Sequence, residues 1–259
     1  MRFTKMQGIG NDYIYIDGFH ERVENPARLA VQMSQPHFGV GADGLILVLP
    51  SDHADFRMRM FNKDGSEGIM CGNGARCVGR FVYEHGLTDR TAFTLETGGG
   101  VRQVHLKLDG DRVSSVTIDM GPPQMLKVEP NRTLVSMGNP HVVYFVQEDP
   151  FYWDLFLQEG ARLCAAMDAN IEFVQVLSPE RLRMRVYERG SGETLACGTG
   201  ACAALVAAQT LGYAGRRATL LLAGGDLLVE WRDTDGHVLL TGAAETVFEG
   251  DWRVQGDAH

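Results

Sequence analysis

The chain has 259 residues, 44% of them hydrophobic and 22% charged, with five cysteines and a net charge of −9. That length suits one large domain or two of about 125 residues, and the internal echo described below favours two. The acidic balance argues against nucleic acid or an anionic membrane surface as partner, since either needs a basic face. The opening residues Met1 to Gly8 lack the apolar core of a signal peptide, and no stretch reaches the roughly 18 uninterrupted apolar residues of a membrane span. A cytoplasmic protein is expected. The cysteines, Cys71, Cys77, Cys164, Cys197 and Cys202, are odd in number and lack Cys-X-X-Cys spacing, which argues against a disulfide framework and against a metal site.

In chain order, residues 1 to 19 read as strand broken by the turn Gly8-Ile9-Gly10-Asn11-Asp12, and a short helix is predicted over 26–35, opened by Pro26. The loop Phe38 to Gly44 matches G-x-G-x-x-G at Gly39, Gly41 and Gly44, but a strand (45–49) follows where a nucleotide fold needs a helix. Strand 56–62 ends at the turn Asn62-Lys63-Asp64-Gly65. A helix is predicted after Cys71, stopped by Gly86. Strands follow at 91–96, 101–108 and 113–119. Gly121-Pro122-Pro123 is the clearest break and sets the expected domains: 1–120, completed by a returning segment 246–259, and 121–245. The second half restarts with strands at 125–128 and 133–136, the turn Gly138-Asn139-Pro140-His141, and an apolar run from Val142 to Val146. A helix is predicted over 151–167 with Trp153, Phe156, Leu157 and Leu163 on its core face, then strands up to 182–188. Residues 201–208 are apolar all round, which suits a helix buried on every side. Strands at 218–222, 226–231 and 237–241 precede a final segment near 244–254 that reads ambiguously.

The two halves repeat each other. Cys71-Gly72-Asn73-Gly74-Ala75 recurs as Cys197-Gly198-Thr199-Gly200-Ala201, 126 positions later, and the same offset carries Met58 onto Met184, Glu67 onto Glu193 and Gly86 onto Gly212. Gly10-Asn11 and Gly138-Asn139 stand 60 and 58 residues before the two cysteines, which marks Asn11 and Asn139 as candidate site residues. Each cysteine is expected at a helix N-terminus, where free N–H groups and the dipole bind carboxylates and lower a thiol pKa. One thiol per half suits one kind of chemistry, in which a proton is taken from one face of a carbon and returned from the other. The N–H groups around Gly72-Asn73 and Gly198-Thr199 would hold the reacting carboxylate. Pyridoxal phosphate would need a Schiff-base lysine in a phosphate cup. The four lysines, Lys5, Lys63, Lys107 and Lys127, have no such setting, so no cofactor is expected.

These motifs, with Gly10-Asn11-Asp12, Gly138-Asn139-Pro140-His141 and Tyr187-Glu188-Arg189-Gly190, resemble those of diaminopimelate epimerase, over nearly the whole chain. The resemblance implies an α+β fold of two pseudo-symmetric domains, each a curved, mainly antiparallel, barrel-like sheet around a buried central helix, with the site in the interdomain cleft. It implies interconversion of LL- and meso-2,6-diaminopimelate, towards lysine and peptidoglycan, by a homodimer. It makes Cys71 and Cys197 the proton acceptor and donor, with Gly72, Asn73, Gly198 and Thr199 on the reacting carboxylate. Asn11, Asn62, Asn139, Asn170, Glu188 and Arg189 become the other substrate contacts, and His141 and Glu188 tune the thiols. Some members carry Gln where this chain has Gly44, so only backbone is offered there. Two alternatives remain at this point: a racemase of another amino acid, proline-type or histidine, on the same scaffold, and a thiol redox or metal-binding protein.

Overall fold

The computed structural model describes residues 1–129 and 131–253. The chain forms two compact units, Met1–Val116 with Ala243–His259, and Thr117–Gly242. The expected returning segment 246–259 lies partly outside the described residues.

In the first unit, β1 (Arg2–Gly8) and β2 (Asn11–Asp17) form an antiparallel hairpin with Gly8 opposite Asn11. Its two turn residues, Ile9 and Gly10, have φ of 49° and 88°, the mirror-image turn that matches strand twist. This turn sets Asn11 at the head of β2. A crossover through α1 (Pro26–Ser34), capped by Asn25, leads to β3 (Gly44–Leu49), parallel to β2. β4 (Phe56–Asn62) runs antiparallel to β3, and β5 (Glu67–Gly68) folds back on β4. α2 (Gly72–Glu84) then leads to β6 (Ala92–Thr97), parallel to β4, and to β7 (Gly100–Asp109). The chain leaves this unit within β8 (Arg112–Asp119).

The second unit repeats the plan. β9 (Gln124–Glu129) and β10 (Arg132–Ser136) precede β11 (Pro140–Phe145); α3 (Phe156–Met167) crosses over to β12 (Asn170–Ser178), parallel to β11. β13 (Arg181–Glu188), β14 (Gly192–Thr194) and α4 (Gly198–Thr210) follow, then β15 (Arg217–Leu222), parallel to β13, with β16 (Gly225–Trp231) and β17 (Val238–Gly242) completing the meander. Each unit is therefore a mostly antiparallel sheet with two parallel pairings, made by matching crossovers.

α4 packs on β10 to β13 and on β15 to β17, and Ala201 to Ala208 are all buried, which is why its composition is apolar all round. α2 packs on β1, β2, β3 and β7. No helix among the described residues is long and apolar enough to cross a membrane. The helix expected over 151–167 is broken: Pro150–Tyr152 is a 3-10 turn capped by Asp149, and the α-helix begins only at Phe156. Its inner face is Phe156, Gly160 and Cys164, while Leu157 is exposed. Tyr187 takes the space, since a Cβ at Gly160 would lie 2.8 Å from Tyr187 Cβ.

β18 (Glu245–Asp251) returns to the first unit, antiparallel to β1. Arg80, in α2 and with its side chain 6% exposed, fastens this return: Nη1 donates to Ala244 O at 2.6 Å and to Glu245 at 3.0 Å, while Nε donates to Glu84 at 2.8 Å. Arg80→Met keeps the apolar stem but strands a buried carbonyl. The two carboxylates can rehydrate, so the expected cost is about 1–2 kcal/mol. Denaturant unfolding should show that loss, and hydrogen exchange should rise first over residues 243–251; unchanged exchange there would mean β18 is held by its ladder alone.

Candidate active site

Both motif cysteines are N-caps. Cys71 caps α2, with Sγ accepting from Gly74 N at 3.3 Å and Sγ–H donating to Asn11 Oδ1 at 3.2 Å. Gly72 and Asn73 are the first two helical residues, whose N–H groups lie beyond the reach of the intrahelical ladder. Gly74 lets the helix approach β3 closely: a Cβ there would lie 2.8 Å from Ile46 Cδ1, and that methyl would have to move. The Tyr13 phenol hydrogen-bonds with Asn11 and Cys71, and burial pushes its pKa upward. Asn11 in turn donates through Nδ2 to Asp43 Oδ2 at 2.7 Å. Asn62, at the end of β4, lies opposite Gly44, which lies opposite Tyr13 on β2. Its Nδ2 donates to Ser66 Oγ at 3.0 Å. No side chain fits at Gly44 in this packing, because a Cβ would run into Phe61 O and lie 2.9 Å from Tyr13 Cε1.

In the second unit Cys197 caps α4. Its Sγ–H donates to Glu188 Oε2 at 3.3 Å and lies 3.5 Å from Thr199 Oγ1; Glu188 Oε1 accepts from the Thr194 hydroxyl. The sequence predicts a thiol acidified by the helix end, but the structure gives the opposite direction. Burial pushes the Cys197 thiol well above its ordinary range, and the Glu188 and Glu172 carboxylates push it further, against the smaller effects of Thr199 and Gly200 N–H. Burial also raises the Glu188 carboxyl.

His141, with no exposed surface, sits beside Asn170 in the parallel register of β11 and β12. Its Nδ1 is 2.6 Å from Glu172 Oε1 and its Nε2 is 3.1 Å from Asn139 Oδ1. The ring thus bridges Glu172 and Asn139. Asn170 Oδ1 accepts from Arg189 N at 2.8 Å, and the Arg189 guanidinium, about half exposed, pairs with Asp168 at 3.1 Å. In this unit Asn139, His141, Asn170, Glu188, Arg189, Cys197, Gly198 and Thr199 therefore gather at the ends of β11 to β13 and the start of α4.

Sequence reasoning missed Glu172, Tyr13 and Asp43. Glu172 is fully buried, and a Cβ at Gly200 would lie 2.7 Å from its Oε1 and 3.3 Å from Cys197 Sγ. Its signal was a lone acid inside the apolar strand Ile171-Glu172-Phe173. The remaining thiols are core residues: Cys77 and Cys202 are fully buried, and burial pushes Cys77 up to about 11. Among the described residues, Asp119, Asp235 and His237 converge as metal ligands would, but Arg232 already pairs with both carboxylates, at 2.7 and 2.6 Å.

Residues 3–126 and 133–247 match the family described as diaminopimelate epimerase. A diaminopimelate epimerase of Methanococcus maripaludis is 45% identical over 97% of this chain and 99% of its own length, and one of Acetivibrio thermocellus is 45% identical over 97% and 98%. Among solved structures, a PhzF-family phenazine biosynthesis protein of Bacillus anthracis superposes with a TM-score of 0.75 at 16% identity, covering 98% of this chain and 99% of that one. A probable proline racemase of Agrobacterium radiobacter gives 0.75 at 15%, covering 99% and 94%; these two likenesses speak to fold alone. With both cysteine caps inside the matched segments, the chain belongs to the diaminopimelate epimerase family.

Proposed function

We propose that this protein is a cofactor-independent epimerase interconverting LL- and meso-2,6-diaminopimelate, with Cys71 and Cys197 as its acid–base pair. The observation that carries the reading is that each unit caps its central helix with a cysteine whose S–H already has an oxygen acceptor, Asn11 in one and Glu188 in the other. One sulfur, as thiolate, takes the α-proton, and the other, as thiol, delivers a proton to the opposite face. The roles exchange in the reverse direction. Negative charge developing on the carbon spreads into its carboxylate, which the N–H groups of Gly72, Asn73, Gly198 and Thr199 stabilise at the helix ends.

A thiol held high by burial rests protonated, in the form that carries a proton to deliver. For Cys197 to act as base its proton must go elsewhere, and Glu188 accepts it, since the same burial brings that carboxyl closer to proton-holding range. His141, paired with Glu172, orients Asn139 and sets the local charge. Arg189 binds the distal carboxylate as a planar fork, and Asn62, Asn139 and Asn170 serve the amino groups and remaining oxygens. We place the protein in the cytoplasm as a homodimer on the strength of the family resemblance.

Cys71→Ala or Cys197→Ala should lower epimerisation by at least about a hundredfold, the scale of a lost general acid or base, without moving the thermal unfolding midpoint by more than a few degrees. A coupled assay starting from the LL isomer measures this. Full activity in either variant removes the two-base mechanism.

Alkylation of Cys197 by iodoacetamide, followed by peptide mass spectrometry, should have its pH midpoint above the ordinary thiol range. Glu188→Gln removes one of the two anions that raise the thiol and should move that midpoint down. It should not reach the ordinary range, because burial remains the largest cause. An upward movement would show that Glu188 is not charged beside the sulfur.

Substrate choice rests on groups for the far end of the ligand. Polar atoms built to pair with that end are stranded by a ligand lacking it, at about 1–3 kcal/mol each. Lysine, proline and histidine should exchange deuterium from heavy water at least about a hundredfold more slowly than diaminopimelate, and Arg189→Ala should erase most of the preference. Equal exchange into proline or histidine would refute this substrate while leaving the thiol chemistry standing.

A further inference from the structure

Asp43 stands immediately before β3, outside every role assigned above. Its backbone is held from two sides, its N–H donating to Asp12 O at 2.9 Å and its carbonyl accepting from Lys63 N at 3.0 Å. The carboxylate is thereby turned towards the head of β2, where Oδ2 accepts from Asn11 Nδ2 at 2.7 Å and from Asp12 N at 3.2 Å. A carboxylate only accepts, so it dictates which end of the Asn11 amide it meets, namely the NH2. The other end, Oδ1, then faces Cys71, whose Sγ–H donates to it at 3.2 Å.

We propose that Asp43 is a positioning residue for Cys71, locking the Asn11 amide with its carbonyl towards the sulfur and so holding this cysteine as a thiol. An amide turned the other way would offer N–H to sulfur and favour the thiolate. The second half differs: Asn139 Oδ1 is taken by His141, so the matching asparagine keeps its NH2 for a ligand. The two halves thus present opposite ends of equivalent amides. The inference rests on Cys71 being one of the acid–base thiols, and it names a residue that sets the protonation of that thiol without touching the reacting atoms.

Other titratable groups act on Cys71: Tyr13 and Tyr15 from β2, and Cys77 from α2. Asp43 also raises the Tyr13 phenol, an effect lost alike in Asp43→Ala, Asp43→Gly and Asp43→Asn, whereas Tyr15 and Cys77 form a constant background. The variants must instead separate an oriented amide from a simple negative charge. Asp43→Ala, with Asp43→Gly as a second variant, removes both the charge and the acceptor. Asp43→Asn removes the charge but keeps an oxygen that both Asn11 Nδ2 and Asp12 N can share.

The test is the pH midpoint of iodoacetamide alkylation at Cys71 and, in the same samples, at Cys197, with thermal unfolding followed alongside. The expected result is a fall of about one pH unit at Cys71 in Asp43→Ala and Asp43→Gly, as an acceptor at the sulfur is replaced by a donor, with little change in Asp43→Asn and none at Cys197. An equal fall in Asp43→Asn would make the effect one of charge and overturn the proposal. So would an unmoved Cys71 midpoint in Asp43→Ala, or a matching shift at Cys197, which would report general loosening. The titration uses no diaminopimelate, so its outcome is independent of whether deuterium exchange into that substrate is seen.

Discussion

The placement of a cysteine as the cap of a buried helix is the constraint from which the rest of each half-site follows. A helix end offers N–H groups and a positive pole, which stabilise an anion. The same end is useful to a reacting carboxylate only when it is dry, and dryness disfavours a charged sulfur. At Cys197 the second effect exceeds the first. The helix end therefore does not make a standing thiolate there; it makes an anion cradle beside a thiol. The acceptors next to the sulfurs differ in what they can do: the Glu188 carboxylate can take a departing proton, whereas the Asn11 amide oxygen only accepts a hydrogen bond and favours the S–H form.

The duplication is kept in the backbone and abandoned in the side chains. The offset that pairs Cys71 with Cys197 also pairs Gly74 with Gly200, and in each half the missing Cβ is filled by the residue at the same point of the preceding parallel strand, Ile46 or Glu172. The close approach of helix to strand is thus one solution used twice. What fills it differs in kind: an apolar methyl in the first half, a buried carboxylate carrying a histidine in the second. Asn62 likewise occupies the position of Glu188, and Tyr13, opposite Gly44, that of His141, opposite Asn170. One half holds its thiol with neutral hydrogen-bonding groups, the other with ionisable ones. On the proposed mechanism the two thiols would exchange roles from surroundings that are not equivalent.

Much of this was legible in the sequence because it depends on local signals. The Cys-Gly-X-Gly-Ala echo, the all-round apolar run after Cys197 and the glycine stops at Gly86 and Gly212 fix helix positions through backbone chemistry, and both helices begin right after their cysteines. What was not legible depends on burial or on partners far along the chain. The direction of the Cys197 shift follows from how much protein covers the sulfur. Glu172 reads as a strand residue until β11 brings His141 beside it, 31 positions away. Asp43 lies in a loop whose glycines suggested a weak phosphate motif, and its partner Asn11 is 32 residues earlier. The break before α3, between the 3-10 turn at Pro150–Tyr152 and Phe156, carries no local signal in the sequence.

The two kinds of ion pair in the second half-site divide the work between ligand and protein. His141 and Glu172 are both wholly buried and 2.6 Å apart, so parting them would strand polar groups away from water. That pair is a fixture, and what it orients, Asn139, is preset before any ligand arrives. Arg189 and Asp168 lie at the surface, about 49% and 84% exposed, where an ion pair is worth about 0–1 kcal/mol. Asp168 sits in a left-handed conformation at the end of α3, with φ of 48°, and only loosely occupies the guanidinium. On the proposed reading a ligand carboxylate would replace Asp168 at little cost and meet the guanidinium as a fork. The arginine's backbone stays anchored through its N–H to Asn170, so the exchange moves the side chain alone. On the proposed reading, selectivity for a second carboxylate falls to the exposed Arg189, and proton handling to the more buried groups around Cys197.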